Sequence, residues 1–207
     1  MRIQDTRTGY GWVSIALHWL TAIVVLTIWF IGSSINAGTE GPSESTLHLH
    51  TSIAVTAYAL LWLRVIWRFT KGHPGPMPHQ AGLFYQIGKY THYAILAAIC
   101  FMLVSGPLMV WSRGAEIFVW NWFTIPGPFE ANMSLFDAMH TIHVWCSRVI
   151  IIGTVLHLGG VYKHAAFNQD GTFGKMLVAA RHESPDPPAV PRPDAKASFP
   201  VSGTKGA

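Results

Sequence analysis

Apolar residues along this chain come in long blocks rather than in alternating runs. Four blocks stand out: Val13–Ile31, Ser52–Phe69, Tyr93–Trp111 and Val144–Tyr162. Each is close to the ~20 residues a helix needs to cross the hydrocarbon core of a bilayer. Only helices and closed barrels satisfy the backbone there, and the blocks lack the period-two alternation of a barrel strand. The pattern predicts an all-α integral membrane four-helix bundle, with helices at about 13–33, 48–69, 88–111 and 140–163. The first block is longer than the ~7–15-residue apolar stretch of a signal peptide. It also carries His18, Trp19 and Trp29, so it reads as a retained helix.

The connections differ in kind. Gly72–Pro78 reads G-H-P-G-P-M-P and cannot be helical. The connection Ser112–Met139 is the longest and places Phe118, Trp120, Trp122, Phe123 and Phe129 around Pro126-Gly127-Pro128. Aromatic residues favour the headgroup level, so part of this loop is expected to lie on the outer surface as a short amphipathic segment. Residues 1–180 form one membrane domain, and 181–207 a Pro-rich cytoplasmic tail too poor in apolar residues to fold.

Charge gives the orientation. Only 12% of the 207 residues are charged, about half the usual share of a soluble domain. Arg2, Arg7, Arg64, Arg68, Lys71, Lys89, Lys163, Lys175 and Arg181 cluster at one end of the bundle. Glu40 and Glu44, and an acid-rich Ser112–Met139, mark the other. The positive-inside rule puts both termini in the cytoplasm. The formal net charge of +4 reflects this topology and not nucleic-acid binding. Membrane lipid is the expected surrounding. Cys100 and Cys146 stand alone, with no C-x-x-C-H for covalent haem attachment.

Eleven histidines are present, several in or beside the apolar blocks. An ionisable side chain in a membrane helix is a functional-site candidate. His143 and His157 are fourteen residues apart on helix 4, within about 40° of one face and separated by roughly 21 Å. His18 in helix 1 matches the depth of His157, and His50 in helix 2 matches that of His143. Zinc prefers four ligands in a tetrahedral cage. Two histidine pairs at two depths fit two stacked haem b groups better, with the imidazoles as axial iron ligands. The spacing of fourteen recurs from His18 to Gly32, from His92 to Gly106 and from His50 to Arg64. Glycines facing a cofactor leave room for a flat ring, and Arg64 with Arg68 can pair with haem propionates. The bland alternatives are close helix packing and interfacial snorkelling. His48 competes with His50, His140 with His143, and His92 with His18. A His92 that is not a ligand could border a quinone pocket. Arg148 lies between the two proposed helix 4 ligands, and its role is open.

The segments S-I-A-L-H-W-L, L-H-T-S, W-L-R-V-I-W-R-F, T-H-Y and S-G-P-L-M, with the His143–His157 pair, resemble the bacterial cytochrome b561 family over about residues 8–180. That family is similar to the cytochrome b subunits of membrane formate dehydrogenases and nickel–iron hydrogenases. The resemblance implies ligands from helices 1, 2 and twice 4, supporting His18, His50, His143 and His157. It also implies a bacterial inner-membrane location and electron exchange with ubiquinone or another quinone. The leading expectation is a dihaem electron-transfer cytochrome linked to the quinone pool. One alternative is a haem-containing anchor subunit fed by a docked dehydrogenase or c-type cytochrome. Another is a superoxide:ubiquinone oxidoreductase, as in one branch of the family. The acidic outer loops weaken steering of that anion. A histidine-lined metal transporter would need carboxylates inside the helices, and none are present.

Overall fold

The computed structural model describes residues 3, 5–6, 9–35, 43–71, 82–168, 171 and 173–179. Its helices are α1 (Trp12–Ser34), α2 (Glu44–Lys71), α3 (Leu83–Ser112) and α4 (Met133–Tyr162). All four are long and apolar enough to cross a membrane. Each begins earlier than its apolar pattern suggests, because the pattern registers only the greasy stretch. The start of α4 is set instead by Asn132, whose side-chain oxygen accepts the Leu135 N–H at 3.0 Å. The tail 181–207 and the loop Gly72–Pro78 lie outside the described residues.

The bundle is two helix pairs. α1 packs on α2 and α3 on α4, with α2 joining the pairs through α3. The core combines Ala57, Leu61 and Val65 of α2 with Leu96, Ala98, Ile99 and Leu103 of α3 and Ile150 of α4. Gly153 lets α4 approach closely, since a Cβ there would stand 2.7 Å from Ile95 Cγ1. The backbones of α1 and α4 scarcely approach each other. Histidine side chains fill the space between them.

Pro107 lies inside α3. It has no N–H to donate to the Leu103 carbonyl one turn earlier. The Tyr58 hydroxyl on α2 donates to that carbonyl instead, at 3.1 Å. An orphaned carbonyl is costly in a membrane, and here a neighbouring helix satisfies it.

The long connection between α3 and α4 is not the short surface-lying amphipathic segment that its aromatic content suggests. It forms a hairpin of β1 (Ile117–Val119) and β2 (Phe123–Ile125), with Phe118 paired to Thr124. Trp120, Asn121 and Trp122 make the three-residue turn between the paired Val119 and Phe123, with Trp120 and Asn121 in the left-handed region at φ of 49° and 58°. The hairpin docks on α2 through two hydrogen bonds of Trp120. Its backbone N–H donates to Ser52 Oγ at 2.9 Å and its indole N–H to Thr56 Oγ1 at 2.8 Å. Ile117 and Val119 are buried beneath it. Lipid-facing loops cannot leave backbone groups unpaired, so folding back on α2 is the cheaper arrangement.

At the opposite end, Asp5 before α1 and the described segment after α4 pack on α1. Asp5 accepts hydrogen bonds from the Gly11 N–H and the Ser14 hydroxyl, both at 2.8 Å. Ser14 in turn accepts from the Trp67 indole at 2.8 Å. After α4, a π-helical turn (Lys163–Asn168) leads to a short 3-10 turn (Phe173–Met176). The Trp19 indole donates to the Met176 carbonyl at 3.0 Å.

Candidate functional site

Two histidine pairs bridge the gap between the helix pairs. His50 of α2 faces His143 of α4, with ring centres 6.4 Å apart. His18 of α1 faces His157 of α4, with ring centres 6.1 Å apart. A metal bonded to an imidazole nitrogen on each side at about 2 Å separates two such rings by roughly 6 Å. The ring-centre spacing of both pairs is one that two imidazoles sharing a metal would have. Among the described residues, no three His, Cys, Asp or Glu side chains gather into a metal cage. The pairs suit a metal that brings its own equatorial ligands, as a haem does.

The second ring nitrogen of three of these histidines is engaged. His50 Nδ1 donates to the Ile28 carbonyl at 3.1 Å. His143 Nδ1 is 3.2 Å from the buried Ser105 hydroxyl. His157 Nδ1 is 3.1 Å from His92 Nε2. Engaging Nδ1 fixes the ring and leaves Nε2 for a metal, as second-shell groups usually do. Ser105 and the Ile28 carbonyl were not singled out by the sequence. The S-G-P-L-M motif was the available signal for the first, because Pro107 disturbs the helix around it.

The competing histidines lie elsewhere. His48 stacks on Phe118 of the hairpin at 4.0 Å and sits 3.8 Å from Glu44. His140 stacks on Phe136 at 5.7 Å. His92 reaches His157, but their ring centres are only 4.7 Å apart, too close for a metal between them. His164 falls in the π-helical turn beyond α4.

Glycines fit against the outer pair, although they meet imidazoles and not a ring plane. A Cβ on Gly32 would stand 2.9 Å from His50 Cε1, and one on Gly106 would stand 3.5 Å from His143 Cε1. The recurrence of fourteen residues thus marks one glycine behind each histidine of the pair at the hairpin end. Arg64 and Arg68 join Tyr10, His18, His92 and Tyr93 around a cavity of about 60 Å³ at the termini end. The Arg68 guanidinium lies 5.8 Å from the centre of the Tyr10 ring. Burial raises the Tyr10 phenol above its ordinary value, and the Arg68 charge opposes that. Two cations beside a histidine can hold the carboxylates of a bound group.

Residues 9–178 match the family described as prokaryotic cytochrome b561. The chain belongs to that family. It is also similar to cytochrome b561 homolog 2 of Escherichia coli strain K12, with 28% identity over 182 residues, 86% of this chain and 95% of that protein. Membership carries haem b binding, membrane electron transfer and a multi-pass inner-membrane location.

Proposed function

We propose that this cytochrome b561 holds two haem b groups and carries electrons across the membrane, exchanging them with the quinone pool. The observation that carries this reading is the repeated facing of α4 histidines across the gap at two levels. His50 and His143 would hold the haem at the hairpin end, and His18 and His157 the haem at the opposite end. Haem b, when bound, supplies a one-electron couple at each level. Two histidines on one haem iron would suit electron transfer over oxygen chemistry.

The remaining residues orient and balance charge. Ile28, Ser105 and His92 fix the imidazole planes through Nδ1. Arg64 and Arg68 neutralise the carboxylates of the haem at the termini end, which the Lys and Arg distribution places in the cytoplasm. Their cavity, with Tyr10 and Tyr93, is the place for a quinone to approach that haem. The hairpin end carries Glu44, Glu116, Glu130 and Asp137, while Arg113 lies 5.2 Å from the centre of the Phe136 ring. That balance disfavours an anionic superoxide donor and favours a neutral quinol or a cationic protein donor.

The test is spectroscopic. Purified protein reduced with dithionite should show a b-type α band with two haems per chain. Reduced protein should be reoxidised by a water-soluble ubiquinone analogue. One haem or none per chain, or no reaction with quinone, defeats the respective half of the proposal.

A further inference from the structure

Ser14 of α1 is a buried hydroxyl, 2% exposed, in the wall of the cavity that Arg64 and Arg68 share. It donates to Asp5 Oδ2 at 2.8 Å, and its oxygen accepts the Trp67 indole N–H at 2.8 Å. A hydroxyl has one proton and two lone pairs. Asp5 takes the proton and Trp67 one lone pair, which leaves one lone pair for a molecule in the cavity. Asp5 is only partly buried, so the line of hydrogen bonds runs from the cavity to water.

Helix capping does not account for this arrangement. The Gly11 N–H needs one acceptor at the start of α1, and Asp5 Oδ1 supplies it at 2.8 Å. A hydroxyl on a helix can also return to its own backbone, as Thr27 does to the Ile23 carbonyl. The Ser14 proton points instead at a carboxylate. Among the described residues, Asp5 is the one carboxyl at this end of the bundle. Glu44, Glu116, Glu130 and Asp137 all lie at the hairpin end.

A quinone that gains electrons in a low-dielectric cavity must gain protons as well, because an unpaired buried anion is costly. Arg64 and Arg68 hold their protons and cannot supply them. Burial makes the Tyr10 phenol a weaker acid still.

We propose that Asp5 and Ser14 relay a proton from the cytoplasm to a quinone in this cavity, an inference that rests on the quinone reading above. Two electrons from the reduced protein and two protons turn quinone into quinol. At the quinone oxygen beside Ser14, the Ser14 O–H bond breaks as the quinol O–H bond forms. Asp5 passes its own proton to the Ser14 oxygen and is reprotonated by water. The second quinone oxygen takes its proton from water directly. Trp67 holds the Ser14 oxygen in place throughout.

The experiment mixes the reduced, haem-loaded full-length protein in detergent with either a water-soluble ubiquinone analogue or ferricyanide, which accepts an electron without a proton. Asp5→Asn still offers an oxygen to the Gly11 N–H and an amide to Ser14, but it cannot relay a proton. It should slow reoxidation by the quinone at least tenfold, with the ferricyanide rate and the reduced spectrum unchanged. Ser14→Ala should show the same split. Formate, as a small diffusible acid, should restore the quinone rate of Asp5→Asn. Equal quinone rates in wild type and Asp5→Asn overturn the relay and leave the quinone reading standing. A loss that ferricyanide shares, or that formate does not restore, makes Asp5 structural and overturns the relay. A wild-type protein inert to the quinone overturns both.

Discussion

His92 Nε2 and His157 Nδ1 lie 3.1 Å apart, joining α3 to α4 through two imidazoles. Depth along the bundle makes His92 an equal of His18, but direction separates them. His92 approaches the back of the His157 ring, and His18 faces it from 6.1 Å.

This contact predicts different outcomes for two alanine variants. His18→Ala should retain one haem of two by pyridine haemochrome assay. His92→Ala should retain both, with affinity at the termini end weakened by about 10–100-fold. Its midpoint potential should rise, because His157 loses a partner that makes it a stronger donor to ferric iron. Loss of a haem from His92→Ala alongside two haems in His18→Ala would exchange their roles.

The glycines give a second contrast. Gly32→Ala puts a methyl 2.9 Å from His50 Cε1, so the imidazole must move off the Ile28 carbonyl. Gly106→Ala places one at 3.5 Å from His143, an ordinary contact. Haem-to-protein ratios should fall from two toward one in the first and stay at two in the second.

Tyr58 and Pro107 act as a unit. Tyr58→Phe removes the donor to the Leu103 carbonyl and should cost about 1–3 kcal/mol in unfolding measurements. In a Pro107→Ala background the helix supplies its own N–H, and most of that cost should vanish. A double-mutant cycle reads the coupling directly. A coupling near zero would mean that the hydroxyl matters for some other reason.

Ser52 anchors the hairpin. Ser52→Ala removes the acceptor of the Trp120 backbone N–H at 2.9 Å. Hydrogen exchange across Ile117–Ile125 should accelerate about fivefold, matching a net hydrogen bond of ~1 kcal/mol. Haem content should remain at two. Unchanged exchange would show that Ile117 and Val119 hold the hairpin without it.

The sequence alone determined the four membrane helices, because the hydrophobic length of a bilayer leaves one solution for long apolar blocks. It also determined the two levels, since helical rise turns fourteen residues into a distance. It did not reveal the hairpin, although Ile117–Ile125 reads as two short apolar runs about Asn121, a residue that tolerates positive φ. The aromatic content drew attention to the headgroup region instead.

Only the tertiary structure shows His50 and His18 facing the α4 histidines across about 6 Å, with His48 on Phe118 and His92 against His157. Each competing histidine has a similar depth, and depth does not say which way an imidazole points. That direction depends on which neighbour the helix face meets: Phe118 for His48, the ring of His157 for His92. The same holds for Arg148. Its place between the two α4 histidines is plain from the sequence, but only the structure shows it exposed, with its guanidinium over the Trp145 ring.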